Sequence, residues 1–196
     1  MSTLTLKNLQ GTYPDNRITV PAGHKIVAPA GGLHAPGHVV QVKQTAKTDR
    51  WSASPGVGVY SEVTGFSVSI TPYSIDNKIL VMVNAYLGRY NYQIKGLVKR
   101  NGTTIAVGDA DGSKPRVSFN LNAYAGGTTN DQYQLLPTAF TYLDSPATTS
   151  ACSYTVELSC YNGYTVYFNR SHYFQENAND YDGLPVSTIT VMEIAQ

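Results

Sequence analysis

The chain predicts an all-β fold, an antiparallel β-sandwich, and three observations carry that reading. First, strong β-formers dominate: Tyr occurs 15 times among abundant Thr, Ser and Val, while 17 Gly and 10 Pro fall mostly between the apolar runs. Second, apolar and polar residues alternate with period two, as where Phe66, Val68 and Ile70 interleave with Ser67, Ser69 and Thr71. Third, residues 78–87, KILVMVNAYL, form a nearly continuous apolar run bounded by Asp76-Asn77 and Gly88. Such a run reads as a strand covered on both faces. A buried helix is the competing reading. It loses because the run meets Gly88 within ten residues and its flanks alternate with period two.

The segments follow in order. Residues 1–36 contain two short alternating pieces, LTLKNLQ and RITVP, then PAGHKIVAPAGGLHAPG, dense in Gly, Pro and Ala. The segment has too few large apolar residues for a core of its own. Yet Leu4, Leu6, Leu9, Ile18, Val20, Ile26 and Val27 are too apolar for a plain linker. It is expected to be an attachment and oligomerisation segment, with Leu4, Leu6, Ile18, Val20 and Ile26 as its contacts. Residues 37–196 are expected to form the head. Strands are predicted over HVVQVKQTAK (38–47), VYSEVTGFSVSITP (59–72) and 78–87. DRWSASPGVG (49–58) reads as a loop. Asn101-Gly102 lies between two apolar-alternating runs and signals a two-residue hairpin, because a type I′ turn needs positive φ at both central residues. Further strands are predicted at 116–124, 138–146 and 187–195. A second Asn-Gly hairpin is predicted within 153–171, turning at Asn162-Gly163. About nine strands fit a two-sheet, jelly-roll-like sandwich.

Composition excludes several classes. Charged residues make up 14% of the 196, the net charge is +1, and no Lys/Arg run exists. This argues against nucleic acid or an anionic bilayer as partner. No apolar run reaches the roughly 20 residues of a spanning helix, so no membrane insertion is expected. The start, MSTLTLKNLQ, has no apolar h-region or cleavage site, so no export address is expected. Cys152 and Cys160 lie in what reads as one strand. Eight residues of strand span about 26 Å, far beyond the roughly 7 Å a disulfide allows. Two buried free thiols are expected.

Catalytic signatures are missing: there is no GxSxG, HExxH, P-loop or Cys-x-x-Cys. Glu62, Glu157, Glu176 and Glu193 are scattered, with no reason to converge into a paired-carboxylate site. We therefore expect a non-enzyme without catalytic, cofactor-binding or metal-ligating residues. His24, His34 and His38 invite a metal reading, but they sit among Gly and Pro, and Pro36 forbids a helix bringing His34 and His38 together. The loop Gly108–Gly112 carries Asp109 and Asp111 without the remaining acidic positions of a calcium loop, and reads as a turn. The aromatic residues Trp51, Tyr90, Tyr92, Tyr133, Tyr173 and Tyr181 fall in predicted loops or strand ends beside Asn, Gln and Asp. That pairing of rigid rings with adaptable polar groups suits a recognition surface, with host-surface glycan as one ligand class. Rings that fill loop-to-core or subunit contacts would give the same pattern.

Seven stretches occur in the order APGHVVQV, TGFSVSITP, NKILVMVNAYLG, VGDADGSKPR, FTYLDSPATTS, TVYFNRS and STITVMEIAQ. Together, over about residues 35–196, they resemble virion structural and tail-fibre proteins of tailed bacteriophages, common among marine phages. LTLKNLQ…ITVPAGHKI is similar to the short attachment segments that begin many phage appendage proteins. The resemblance implies a homotrimer docked on other virion proteins through residues 1–36, with a β-sandwich head outward, assembled in the host cytoplasm. It implies no catalytic residues. At this length a short tail fibre, fibre tip, or capsid decoration or head-fibre protein is expected. A carbohydrate-recognition (receptor-binding) module is the alternative.

Overall fold

The computed structural model describes residues 11, 18–27, 35–89, 92–121, 133–175 and 183–196. The chain divides into two units, residues 1–33 and 34–196. In the first, residues 18–27 form no strand or helix and are exposed throughout. They turn at Pro21–His24, where the His24 N–H donates to the Pro21 carbonyl at 3.1 Å.

The second unit holds eleven described strands: β1 (Val39–Lys47), β2 (Trp51–Ala53), β3 (Ser61–Ile70), β4 (Lys78–Gly88), β5 (Ile94–Arg100), β6 (Thr103–Ile105), β7 (Phe119–Leu121), β8 (Leu135–Asp144), β9 (Cys152–Cys160), β10 (Val166–Phe168) and β11 (Ser187–Ile194). All pairings are antiparallel and make two sheets. In the first sheet β11 and β10 lie end to end along one side of β4, and β8 takes the other side. β1 and β2 then flank β11 and β10. In the second sheet β3, β9 and β5 lie side by side, with β6 and β7 sharing the far side of β5.

Counting collinear strands as one ribbon gives four ribbons per sheet, and their pairing is nested. The first pairs with the last (β1–β11), the second with the next to last (β3–β9), and the third with its mirror (β4–β8). The innermost pair, β5–β6, is joined directly by Asn101-Gly102. This is one long antiparallel hairpin rolled into two sheets, the jelly roll. Its tip is the predicted Asn-Gly turn, and both residues have positive φ (49° and 79°).

Burial follows the period-two pattern. Val63, Phe66, Val68 and Ile70 of β3 face Ile79, Val81, Val83, Ala85 and Leu87 of β4, with Val156, Leu158, Phe168, Ile189 and Val191 completing the core. Each large side chain so buried contributes roughly 1.5–3 kcal/mol. Phe66 and Phe168 meet across the sandwich, ring centroids 4.9 Å apart. Gly65 (φ 79°) sits where the β3–β9 register shifts, a bulge that bends β3. Gly96 leaves room for the Phe119 ring, which a Cβ there would strike.

Two buried carboxylates pin the ends. Asp144 accepts two bonds from the Arg100 guanidinium (2.7 and 2.6 Å) and one from the Tyr154 hydroxyl (2.7 Å), tying β8 to the opposite sheet. Burial, then the bond to Asp144, holds the Tyr154 phenol far above its usual range. Glu193, fully buried, accepts from Gln41 Nε2 (2.6 Å), the Tyr73 N–H (2.7 Å) and Asn77 Nδ2 (2.6 Å).

Four expectations change. The run 78–87 is covered on one face, not both: Leu80, Met82 and Tyr86 on its outer side are half-buried and Asn84 is exposed. On the outer side Leu80 meets Met192 and Leu143 on the adjacent strands, while Met82 lies between Thr190 and Thr141. The second Asn-Gly turn makes no hairpin. Asn162 (φ 54°) and Gly163 (φ 75°) do turn the chain, but β9 already has β3 and β5 on its two sides, so the chain crosses to the other sheet and β10 pairs with β4 and β2. Trp51–Ala53 is a strand, because β10 offers it a partner. The strand predicted at 116–124 reduces to Phe119–Leu121 among the described residues. Cys152 and Cys160 are free and buried, as expected. Burial raises both thiols above their usual range, which keeps them unreactive.

Candidate functional site

A hollow rich in aromatic and polar groups lies around β10. Alternation sends Val166 and Phe168 into the core and leaves Tyr167 on the outer side, between Gly88 and Ser52. Asn169 ends the strand with φ 57° and is fixed by its side chain, whose Nδ2 donates to the Lys47 and Asp49 carbonyls (2.7 and 3.1 Å). The turn carries Arg170 back over the Tyr167 ring, 4.8 Å from its centroid and 5.2 Å from that of Phe174. Arg50 covers Phe174 at 4.5 Å. Arg170 also donates to the Ser171 and His172 carbonyls, both at 3.0 Å.

Tyr164, Thr165, Tyr167 and His172 line a hollow of about 340 Å³. His172 Nδ1 and the Tyr167 hydroxyl share a hydrogen bond of 2.9 Å. Burial, then the charge of Arg170, lowers the His172 pKa below its ordinary value, so the ring is neutral at pH 7. Tyr164 stacks on Tyr92 with centroids 4.3 Å apart and an interplanar angle of 14°, and Tyr161 lies 5.5 Å from Tyr92. Thr165 Oγ1 and Ser54 Oγ are 2.7 Å apart. Among the described residues the lining offers aromatic rings with hydroxyl and imidazole groups between them and no carboxylate.

A second hollow, about 490 Å³, is lined by Tyr86, Tyr133, Leu135, Gly183, Leu184 and Pro185. It shares Tyr86 with a third of about 300 Å³ along Asn84, Ala85 and residues 137–139.

The sequence-predicted contacts do not form one cluster. Tyr92 belongs to the three-ring stack at the first hollow. Tyr133 lines the second and meets Tyr173 edge to face at 5.0 Å. Trp51 is half-buried in β2 against the core. Tyr90 and Tyr181 lie outside the described residues, as do Leu4, Leu6 and His34. Of the attachment residues that are described, Ile18, Val20 and Ile26 are exposed by 47%, 39% and 65%. Tyr164 and Tyr167 escape sequence reasoning because residues 153–171 read as one hairpin, which places both on strand faces; His172 falls just beyond that hairpin. The usable signal is YTVYF itself: with Val166 and Phe168 inward, Tyr167 must point out.

No family model matches the chain, and no curated protein matches it. Similar solved structures include VP2 of infectious bursal disease virus. The crystal structure of the VP2 subviral particle is 13% identical over 92% of this chain and 42% of that one, with a TM-score of 0.39. VP2 in virus-derived T=1 particles is 14% identical over 92% of this chain and 41% of that one, with a TM-score of 0.40. A mutant VP2 in T=1 particles is 15% identical over 91% and 41%, with a TM-score of 0.38. The chain thus spans about two fifths of the length of these VP2 chains. The nested strand order, not these likenesses, identifies the jelly roll.

Proposed function

We propose that this chain is a structural protein of a bacteriophage particle, with the jelly roll as its head and residues 1–36 as the segment that docks it. The observation that carries this reading is the contrast between a head with a closed core and a lead segment whose Ile18, Val20, Ile26 and Val27 all stand exposed. Large apolar side chains left in water, each worth roughly 1.5–3 kcal/mol on burial, need a partner. The sequence resemblance to tail-fibre and virion proteins supplies the class of partner. A short fibre, fibre tip or decoration protein, with three copies around the docking segment, is what the resemblance implies. Deleting residues 1–34 is expected to leave a folded head that no longer enters particles. Normal incorporation of the shortened chain would refute the reading.

A second reading, host-glycan recognition, is favoured by the first hollow, where Tyr164 and Tyr167 offer rings and Thr165 and His172 offer polar groups. Sugar faces stack on rings while their hydroxyls need such partners. Tyr164→Ala with Tyr167→Ala should abolish adsorption while particles stay intact. Trp51 is unsuited to that test, since its ring supports the core. Unchanged adsorption would leave the chain a purely structural role.

A further inference from the structure

The first sheet ends in β8, and the direction of β8's backbone groups follows from two bonds made by its neighbour. The Tyr86 N–H donates to Ser187 Oγ (3.0 Å) and the Tyr86 carbonyl accepts from the Asn169 N–H (2.9 Å). Both partners lie on the β10–β11 side of β4, so the backbone of Tyr86 points away from β8. Its opposite residue in an antiparallel ladder, Pro137, therefore also points its backbone away from β4, toward the outer edge. By alternation Ala139, Thr141 and Leu143 do the same. Among the described residues nothing pairs with the N–H and C=O groups of these three. All three are exposed, and Leu143 leaves 43% of its surface in water.

Sheet edges are usually guarded by charge, bulges or proline. Residues 135–143 carry no charge, the β4–β8 ladder runs from Asp144 to Leu135 without a bulge, and Asp144 is consumed by Arg100 and Tyr154. Pro137 alone removes an outward N–H, so it marks where edge pairing must stop. The unguarded part is 139–143, and it is symmetric about Thr141.

We propose that this edge is where two copies of the chain join, β8 against β8, antiparallel about a two-fold axis through Thr141. Thr141 then faces the partner's Thr141, and Ala139 faces the partner's Leu143. Each outward N–H finds an outward C=O, since all three pairs are of the hydrogen-bonded kind. No like charges meet, which is the electrostatic condition for a self-contact and is not met at the lysine-bearing β1. On the outer side Leu143 continues a row, Val42–Met192–Leu80–Leu143, that crosses the whole sheet. In this register the row ends on the partner's Ala139, which on that copy lies opposite Asn84. A two-fold contact of this kind is isologous and closes on itself. It does not depend on the virion reading, and it adds to any association through residues 1–36.

The test is the solution mass of the full chain by light scattering, with Thr141→Pro and Thr141→Lys. Proline removes one outward donor and leaves the β4 ladder whole; lysine places a charge at the axis, where it would meet its own copy. The expected mass is an even multiple of 21.2 kDa that halves in both variants, each still unfolding in one cooperative transition. If the proline variant unfolds, the lysine variant alone decides. A mass unchanged by the substitutions, whether one, three or any other multiple, overturns the proposal.

Discussion

The two edges of the first sheet are built differently, although both belong to long strands. β1 breaks its register between Val39 and Gln41, and it places Lys43 and Lys47 at inner-face positions opposite Val191 and Ser187. The Lys47 ammonium, nearly buried, is held by Asp49 at 2.8 Å, and Gln41 Nε2 reaches across to the Thr71 carbonyl at 2.8 Å. A bulge and inward charges are the devices that stop a strand from acting as a template. β8 has an even ladder, no charge before Asp144, and one proline near its start. The difference teaches that an open edge is not a general property of this sandwich. Of the two edges of this sheet only β8 has it among the described residues, which makes β8 the place to look for a partner.

The comparison requires β8 to be firmly seated, and the largest effect should come from unseating it. Asp144→Leu removes the carboxylate that neutralises the half-buried Arg100 and accepts from Tyr154, and should cost about 3–5 kcal/mol in urea unfolding. A loss under 1 kcal/mol would mean the tie between sheets is unimportant. Next come the two faces of β4. Leu87→Ala, on the inner face, should cost about 2–5 kcal/mol. Leu80→Ala, on the half-buried outer row, should cost much less, about 1 kcal/mol in a dilute sample. Equal costs would show that the outer row is covered within a single copy. Unguarding the other edge is a third step. Lys43→Val should leave stability within about 0.5 kcal/mol and yet promote further association through β1, read as a rising light-scattering mass. An unchanged mass would show that the bulge guards β1 without the lysine.

Much of this was readable in the residues. The apolar alternation of β3 and the run of β4 located the core, and Asn101-Gly102 located the tip of the rolled hairpin, because both signals are local. Asn162-Gly163 is equally strong local chemistry and misleads. Whether a turn closes a hairpin depends on whether the preceding strand has a free side, and β9 has none. Trp51–Ala53 becomes a strand only because distant β10 lies beside it. The same limit applies to the sites. Tyr92 was singled out as a ring in a loop, but its partners Tyr161 and Tyr164 come from a segment some 70 residues on, and the open edge of β8 is visible only once the ladder is known.

A smaller effect concerns the β10 hollow. The neutral form of His172 is favoured in the folded chain, by burial and then by Arg170. Its folded pKa lies below the unfolded value, so its contribution is present above about pH 6.5 and is lost as pH falls from there toward the folded pKa. His172→Gln should flatten that part of the stability profile. An unaltered acid limb would show that another group sets it.

Amide hydrogen exchange at Ala139, Thr141 and Leu143 tests the self-pairing edge most directly. The account predicts fast exchange at these three amides in dilute solution and strong protection as concentration rises, while Thr138, Phe140 and Tyr142, bonded to β4, stay protected throughout. Exchange at Ala139, Thr141 and Leu143 that is fast at every concentration would contradict it.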